Sequence, residues 1–242
     1  MLLFLIRHGD PIYAPDQLTE LGKRQAEAVS RRLSRYGIDK IFSSTSTRAY
    51  QTALPTAEIC KKDITQLDWC HEDRAWEDLT VVTKKGYRTW AGYDPDVAQI
   101  FASKELRAYG DNWYDHPAFA EHRDRFKKGV ERIDTNVDNF LAQLGYEHDR
   151  EKGIFNIKNH THERVALFAH EGFGRAFLGS VLDMTYPEAS LRFAMTHSAV
   201  SVIGFDNEDG RGYAIARLLT LSNDSHIYAD GLPTNYYNRI RF

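Results

Sequence analysis

Two short apolar runs in this chain end in the same way, and that repeat constrains the fold more than any other feature. Near the N-terminus, Leu2-Leu3-Phe4-Leu5-Ile6 leads into Arg7-His8-Gly9; far downstream, Arg164-Val165-Ala166-Leu167-Phe168-Ala169 leads into His170-Glu171-Gly172. Runs of this kind read as central strands covered on both faces. The glycine close behind each histidine lets the backbone turn sharply and approach a ligand. In an open α/β sheet, ligands bind outside the carboxyl ends of the strands. Two histidines delivered there by separate strands can therefore converge on one pocket, although either alone reads as a hydrogen-bonded loop residue.

Other segments extend the pattern. Lys40 to Ser43 and Ala199 to Phe205 read as further strands, the residues 206–210 as a turn, and Tyr213 to Leu221 as a returning strand. Between them lie helices. Thr19 suits an N-cap, Glu20 the first turn, and Leu21, Gln25, Val29 and Leu33 share one stripe that Gly37 can close. Ser46 can cap a second helix carrying Arg48, which Pro55 is expected to kink or split. Phe173 to Leu182 reads as a third helix. Strands alternating with helices predict an α/β fold: a mostly parallel central sheet with helices on both faces. The stretch from about 81 to 162 differs. It is read as a largely helical insertion or cap, including Arg123 to Leu144, and carries Tyr87, Trp90, Tyr93, Trp113 and Tyr114. Those aromatics serve either as packing or as a face for a flat or sugar-like substrate. With 242 residues and 42% hydrophobic content, residues 1–242 can form a single domain around one substantial core.

Charge and cysteine content narrow the function. A net charge of -3 gives no basic excess of the kind a nucleic-acid or membrane-surface partner requires. The opening apolar run is too short to span a bilayer and has neither the basic leader nor the cleavage site of a signal peptide. Only Cys60 and Cys70 are present, so no disulfide framework is implied, and a reduced, cytoplasmic setting is the simplest expectation. Oligomeric state is not legible. No dense Asp/Glu/His set suggests a required metal, and no cofactor is implied.

Arg48 adds a third element, at the start of a helix in Ser43-Ser44-Thr45-Ser46-Thr47-Arg48-Ala49. A helix start offers free N–H groups and a positive dipole end, and guanidinium a rigid fork matched to phosphate oxygens. Taken together, Arg7-His8-Gly9, Leu18-Thr19 with Gly22 and Gln25-Ala26, Ser44 to Arg48-Ala49 with Gln51-Thr52-Ala53, and His170-Glu171-Gly172 resemble the histidine phosphatase superfamily, in its phosphoglycerate mutase-like branch. The resemblance implies that His8 is a nucleophile that becomes phosphorylated, and that Arg7, Arg48 and His170 hold the phosphoryl oxygens, with a protonated His170 adding to the charge. It also implies a small-molecule phosphomonoester as substrate and a glutamate as general acid. Glu72 is preferred for that role, with Glu77 and Asp73 as alternatives.

The chain departs from the family pattern at Ala14, where many relatives carry a phosphate-binding asparagine, at Asp10-Pro11, and at His197-Ser198 in place of Asn-Ser. His197 either faces the pocket or is structural. Relatives that act as mutases carry Arg-Tyr-Gly just after the acid and further basic residues, whereas Asp73-Arg74-Ala75 stands here. The expectation is thus a metal-independent phosphatase. The alternatives are a phosphoglycerate mutase-type phosphotransferase and a non-catalytic phosphate-ligand binding module.

Overall fold

A computed structural model describes residues 1–206 and 210–236. Six strands form the central sheet: β1 (Leu2–Arg7), β2 (Lys40–Ser44), β3 (Ile64–Leu67), β4 (Arg164–Ala169), β5 (Val200–Phe205) and β6 (Ala216–Asn223), in the order β6-β5-β1-β4-β2-β3. β1 pairs in parallel with β4, β4 with β2, and β2 with β3, while β5 runs antiparallel to both β1 and β6.

Alternation along the strands explains the helices on both faces. In β1, Leu3 and Leu5 enter one apolar cluster and Phe4 and Ile6 the other. β4 divides likewise, Val165 and Leu167 against Ala166 and Phe168. The second face is covered by α1 (Glu20–Tyr36), through Val29 and Leu33, and α2 (Thr47–Cys60), through Ala53 and Ala57. The first face is covered by α3 (Glu72–Leu79), α4 (Arg123–Gln143) and α5 (Glu171–Val181), with Phe126, Phe140, Phe173 and Phe177 among the buried side chains. α1 has the predicted ends: the Thr19 side chain accepts from the Gly22 N–H, and Gly37 closes the helix in the left-handed region at φ 73°.

Several expectations need correcting. α2 runs unbroken through Pro55. The ring removes one backbone hydrogen bond, but Thr52, Ala53, Thr56 and Ala57 are buried on either side of it, and that packing holds the helix together. The run from Tyr213 to Leu221 is divided at Ile215: Tyr213–Ala214 pairs with Ile154–Ile157 in a separate three-stranded sheet, whereas Ala216 onward joins β5. Of the predicted turn, residues 207–209 lie outside the described residues. Residues 81–162 are less purely helical than expected, since they contribute to a hairpin (Thr80–Val82 with Arg88–Trp90) and include the strands Tyr146–Asp149 and Ile154–Ile157. Trp113 and Tyr114 are buried packing residues, while Tyr87 and Tyr93 are exposed. No helix among the described residues is long and apolar enough to cross a membrane.

A polar clasp around the buried His148 side chain ties this segment to the turn that follows α5. His148 offers Nδ1 to Asp138 at 3.0 Å and Nε2 to Asp183 at 3.2 Å, and its ring stacks on Phe155 at 4.0 Å. Burial opposes charge on the imidazole, but the two carboxylates outweigh it, and the pKa is raised above 6.5. A raised folded-state pKa gives stability that is complete below the unfolded value and is lost as pH rises through the folded one. His148→Gln is therefore expected to cost about 1–2 kcal/mol at pH 6 and distinctly less at pH 9, read by urea denaturation at the two pH values. A cost that does not vary with pH would show that ring packing, not charge, matters there.

Candidate active site

Register brings the two histidine motifs together. Arg7 lies opposite Ala169 in the β1/β4 ladder, so His8 and His170 leave the sheet side by side, with ring centroids 5.2 Å apart. Phe168 pairs with Ser43 of β2, which places the Ser44–Ser46 turn and the start of α2 beside His170. Arg7, His8, Arg48 and His170 are each at most 6% exposed. The loop Gly9-Asp10 is held from both sides: Gly9 N–H donates to Thr52 Oγ1 at 2.9 Å and Asp10 N–H to Gln25 Oε1 at 2.7 Å. Gly9 and Gly22 meet backbone to backbone, and a Cβ on Gly22 would lie 2.2 Å from the Asp10 carbonyl oxygen.

The tautomers of both rings follow from their partners. His8 Nδ1 lies 2.7 Å from the Gly9 carbonyl, which can only accept, so Nδ1 carries the proton and Nε2 keeps its lone pair. Burial first, then Arg7, hold the His8 pKa well below the usual histidine range, so the ring is neutral. Arg48 Nη2, an obligatory donor, lies 3.2 Å from His170 Nδ1. His170 therefore carries its proton on Nε2 and donates to Ser44 Oγ at 2.9 Å. Its pKa is also well below the usual range, through burial and then through His8 and Arg48. Among the described residues no carboxylate pairs with the His170 ring and an arginine donates to it, so the imidazolium charge expected there is disfavoured.

Arg7 and Arg48 are each braced by a carboxylate. Arg7 Nη1 lies 2.9 Å from Glu171 Oε2 and also donates to the Met195 carbonyl. Arg48 Nη1 lies 2.8 Å from Asp16 Oδ1, while Asp16 Oδ2 accepts the Thr47 N–H at 2.7 Å. The Arg48 guanidinium also sits 5.3 Å from the ring centroid of Tyr13. Asp16 and Tyr13 come from a small hairpin, Pro11–Tyr13 with Asp16–Leu18. Neither that hairpin nor Asp16 was anticipated, since a three-residue strand holding a lone carboxylate leaves no periodic trace. Glu171 stood in the motif, but its pairing with Arg7 is visible only in space.

The three candidate acids separate clearly. Glu72 opens α3 and its carboxylate accepts the Gly172 and Phe173 N–H groups at 3.0 and 2.9 Å, at the start of α5. Burial raises its pKa, and those two N–H groups only partly offset the rise. The same helix start is sealed by Trp90, whose indole would lie 2.1 Å from a Cβ on Gly172. By contrast, Glu77 and Asp73 are exposed, and Glu77 meets Arg88 and Arg125 only through its backbone carbonyl. His197 does lie beside the nucleophile candidate, 5.5 Å from the His8 ring, with Nδ1 3.3 Å from Asp10 Oδ1. Its pKa is pushed down to about 3 by burial and then by Arg7. Among the described residues, no group of three or more His, Cys, Asp or Glu side chains is placed to hold a metal ion.

These positions can hold a tetrahedral anion between two guanidiniums beside a neutral imidazole, with a carboxyl group nearby. The family model for the histidine phosphatase superfamily (branch 1) matches residues 3–141. Phosphoserine phosphatase 1 of Hydrogenobacter thermophilus is 35% identical over 177 residues, covering 69% of this chain and 74% of that protein. A probable phosphoglycerate mutase of Yersinia pestis is 36% identical over 67 residues, only 24% of this chain and 31% of its own. The same fold is present in a mycobacterial glucosyl-3-phosphoglycerate phosphatase, with a TM-score of 0.56 at 20% identity over 91% of this chain and 98% of that one. It is also present in a phosphoserine phosphatase of Entamoeba histolytica, with a TM-score of 0.56 at 15% identity over 93% of this chain and 98% of that one.

Proposed function

This chain belongs to the histidine phosphatase superfamily, and from that membership we propose that it is a phosphatase hydrolysing phosphomonoesters through a phosphohistidine on His8. The observation that carries this reading is the state of His8: a buried, neutral ring with Nδ1 committed to the Gly9 carbonyl, which makes Nε2 the nucleophilic atom. Arg7 and Arg48 hold the phosphoryl oxygens, and His170 contributes its position between Arg48 and Ser44. His8 Nε2 attacks phosphorus in line, the P–O bond to the leaving group breaks, and Glu72 gives its proton to the departing oxygen. Glu72 then takes a proton from water as that water displaces the phosphoryl group from Nε2. Hydrolysis is favoured over mutase-type transfer because the relative matched over most of its length is named as a phosphatase, and because Arg74, the basic residue just after Glu72, is paired with Asp68 at 2.7 Å. Net phosphate release from a metabolite panel tests the choice. Interconversion of phosphoglycerates without phosphate release would reverse it.

A pH profile follows from the same groups. The active form needs neutral His8 and protonated Glu72. Rate rises with pH through the lowered His8 pKa and falls with pH through the raised Glu72 pKa. In kcat/KM, which reports the transfer to His8 alone, Glu72→Gln is expected to remove the alkaline limb and to slow alkyl phosphates by roughly 10²–10⁴, with a much smaller effect on activated aryl phosphates. Equal loss of kcat/KM on both substrate types would exclude Glu72 as the acid.

A further inference from the structure

We propose that Asp16 is a specificity-determining residue, and that it selects phosphomonoesters whose alcohol is cationic or uncharged over those whose alcohol carries an acid. The inference deepens the phosphatase reading and rests on it. Charge around the cup is its starting point. Arg7 is paired with Glu171 at 2.9 Å, Arg48 with Asp16 at 2.8 Å, and Arg74 with Asp68 at 2.7 Å. Asp68 reaches the same rim through Thr45, 3.5 Å away in the turn before α2. Asp10 is a further carboxylate, and it faces His197, whose ring is neutral. Among the described residues, the further guanidinium near the cup, Arg175, is only 1% exposed, packed against the Tyr93 ring at 4.4 Å and donating to the Ser190 carbonyl.

The arginines of the cup thus supply directional donors for a phosphoryl group but little net positive field beyond it. A leaving group emerging from the cup meets half-buried carboxylates instead. Asp16 is the best placed of these. Its side chain is 29% exposed and comes from the small hairpin strand Asp16–Leu18 rather than from the central sheet. Each of its oxygens has one partner, Thr47 N–H or Arg48, and keeps a lone pair for a donor. Tyr13, 68% exposed on the same hairpin, has the Arg48 guanidinium 5.3 Å from its ring centroid and adds aromatic surface beside Asp16. An ammonium gains from Asp16, whereas a carboxylate or second phosphate is repelled by Asp16 and Asp10 and, among the described residues, finds Arg7, Arg48 and Arg74 already paired.

Three esters matched in length test this: 2-aminoethyl phosphate, 2-hydroxyethyl phosphate and phosphoglycolate. With the wild-type protein, kcat/KM for the aminoethyl ester is expected to exceed that for phosphoglycolate by about tenfold or more, and the ratio to shrink as salt screens the rim. Asp16→Asn is expected to reduce the ratio at least threefold. If Asp16→Asn does not fold, the wild-type ratio with its salt dependence, together with Asp10→Asn, provides the test. Phosphoglycolate turned over as well as the aminoethyl ester overturns the proposal, as does an equal loss on all three esters in Asp16→Asn, which would mean that Asp16 only braces Arg48. No release from any of the three or from an aryl phosphate would instead reject the phosphatase reading itself.

Discussion

Replacing His8 with alanine is expected to lower phosphate release by a factor on the order of 10⁴–10⁶, the scale seen when a covalent nucleophile is removed. The reasoning is positional. His8 Nε2 combines a lone pair with a neutral ring beside Arg7 and Arg48, and His170 cannot replace it. His170 Nδ1 is occupied by Arg48 and its Nε2–H by Ser44. Water alone would have to attack, without the covalent intermediate that divides the reaction into two easier steps. The fold should survive, since the main packing of β1 comes from Leu3 to Ile6. The measurement is phosphate release under saturating substrate, alongside circular dichroism and a rapid-quench assay for protein-bound phosphate from labelled substrate. Activity within tenfold of wild type, or undiminished trapped phosphoprotein, would remove His8 from the mechanism.

Gly22→Ala should produce the largest loss of stability from the smallest change. Helix propensity alone predicts the opposite sign, since alanine inside a helix is favoured over glycine by about 1 kcal/mol. At this position, however, the new Cβ would stand 2.2 Å from the Asp10 carbonyl oxygen and 3.0 Å from its nitrogen. Both are backbone atoms, and neither can rotate away. Asp10 is also held by Gln25, Thr19 and the neighbouring Gly9–Thr52 bond, so relief requires moving α1 against the loop that carries His8. Overpacking of this kind costs roughly 2–3 kcal/mol, and for a chain of this size the melting temperature should fall by about 5–10 °C. Activity should fall further than stability, because the displaced loop also sets the Gly9 carbonyl that fixes the His8 tautomer. A variant as stable as wild type, with unchanged kcat, would show that α1 and the loop are not in such close contact in solution.

What the sequence determined alone was the frame and its reactive ends. Local signals carried that information: continuous apolar runs for β1 and β4, the Thr19 and Gly37 caps of α1, and histidines followed closely by glycine. Each acts over a few residues, so each can be read without knowing the fold. The bracing of the cup could not be read in that way. Asp16 and Arg48, Glu171 and Arg7, and Glu72 and the start of α5 are separated along the chain or hidden in irregular segments, and they meet because strand register and helix packing bring them there. The neutral state of His170 was likewise decided in three dimensions, since protonation depends on burial and on which charge lies alongside, here Arg48 and His8 rather than a carboxylate. Burial likewise distinguishes Glu72 from Glu77: two glutamates on one short helix, one turned into the protein against backbone N–H groups and the other out into water.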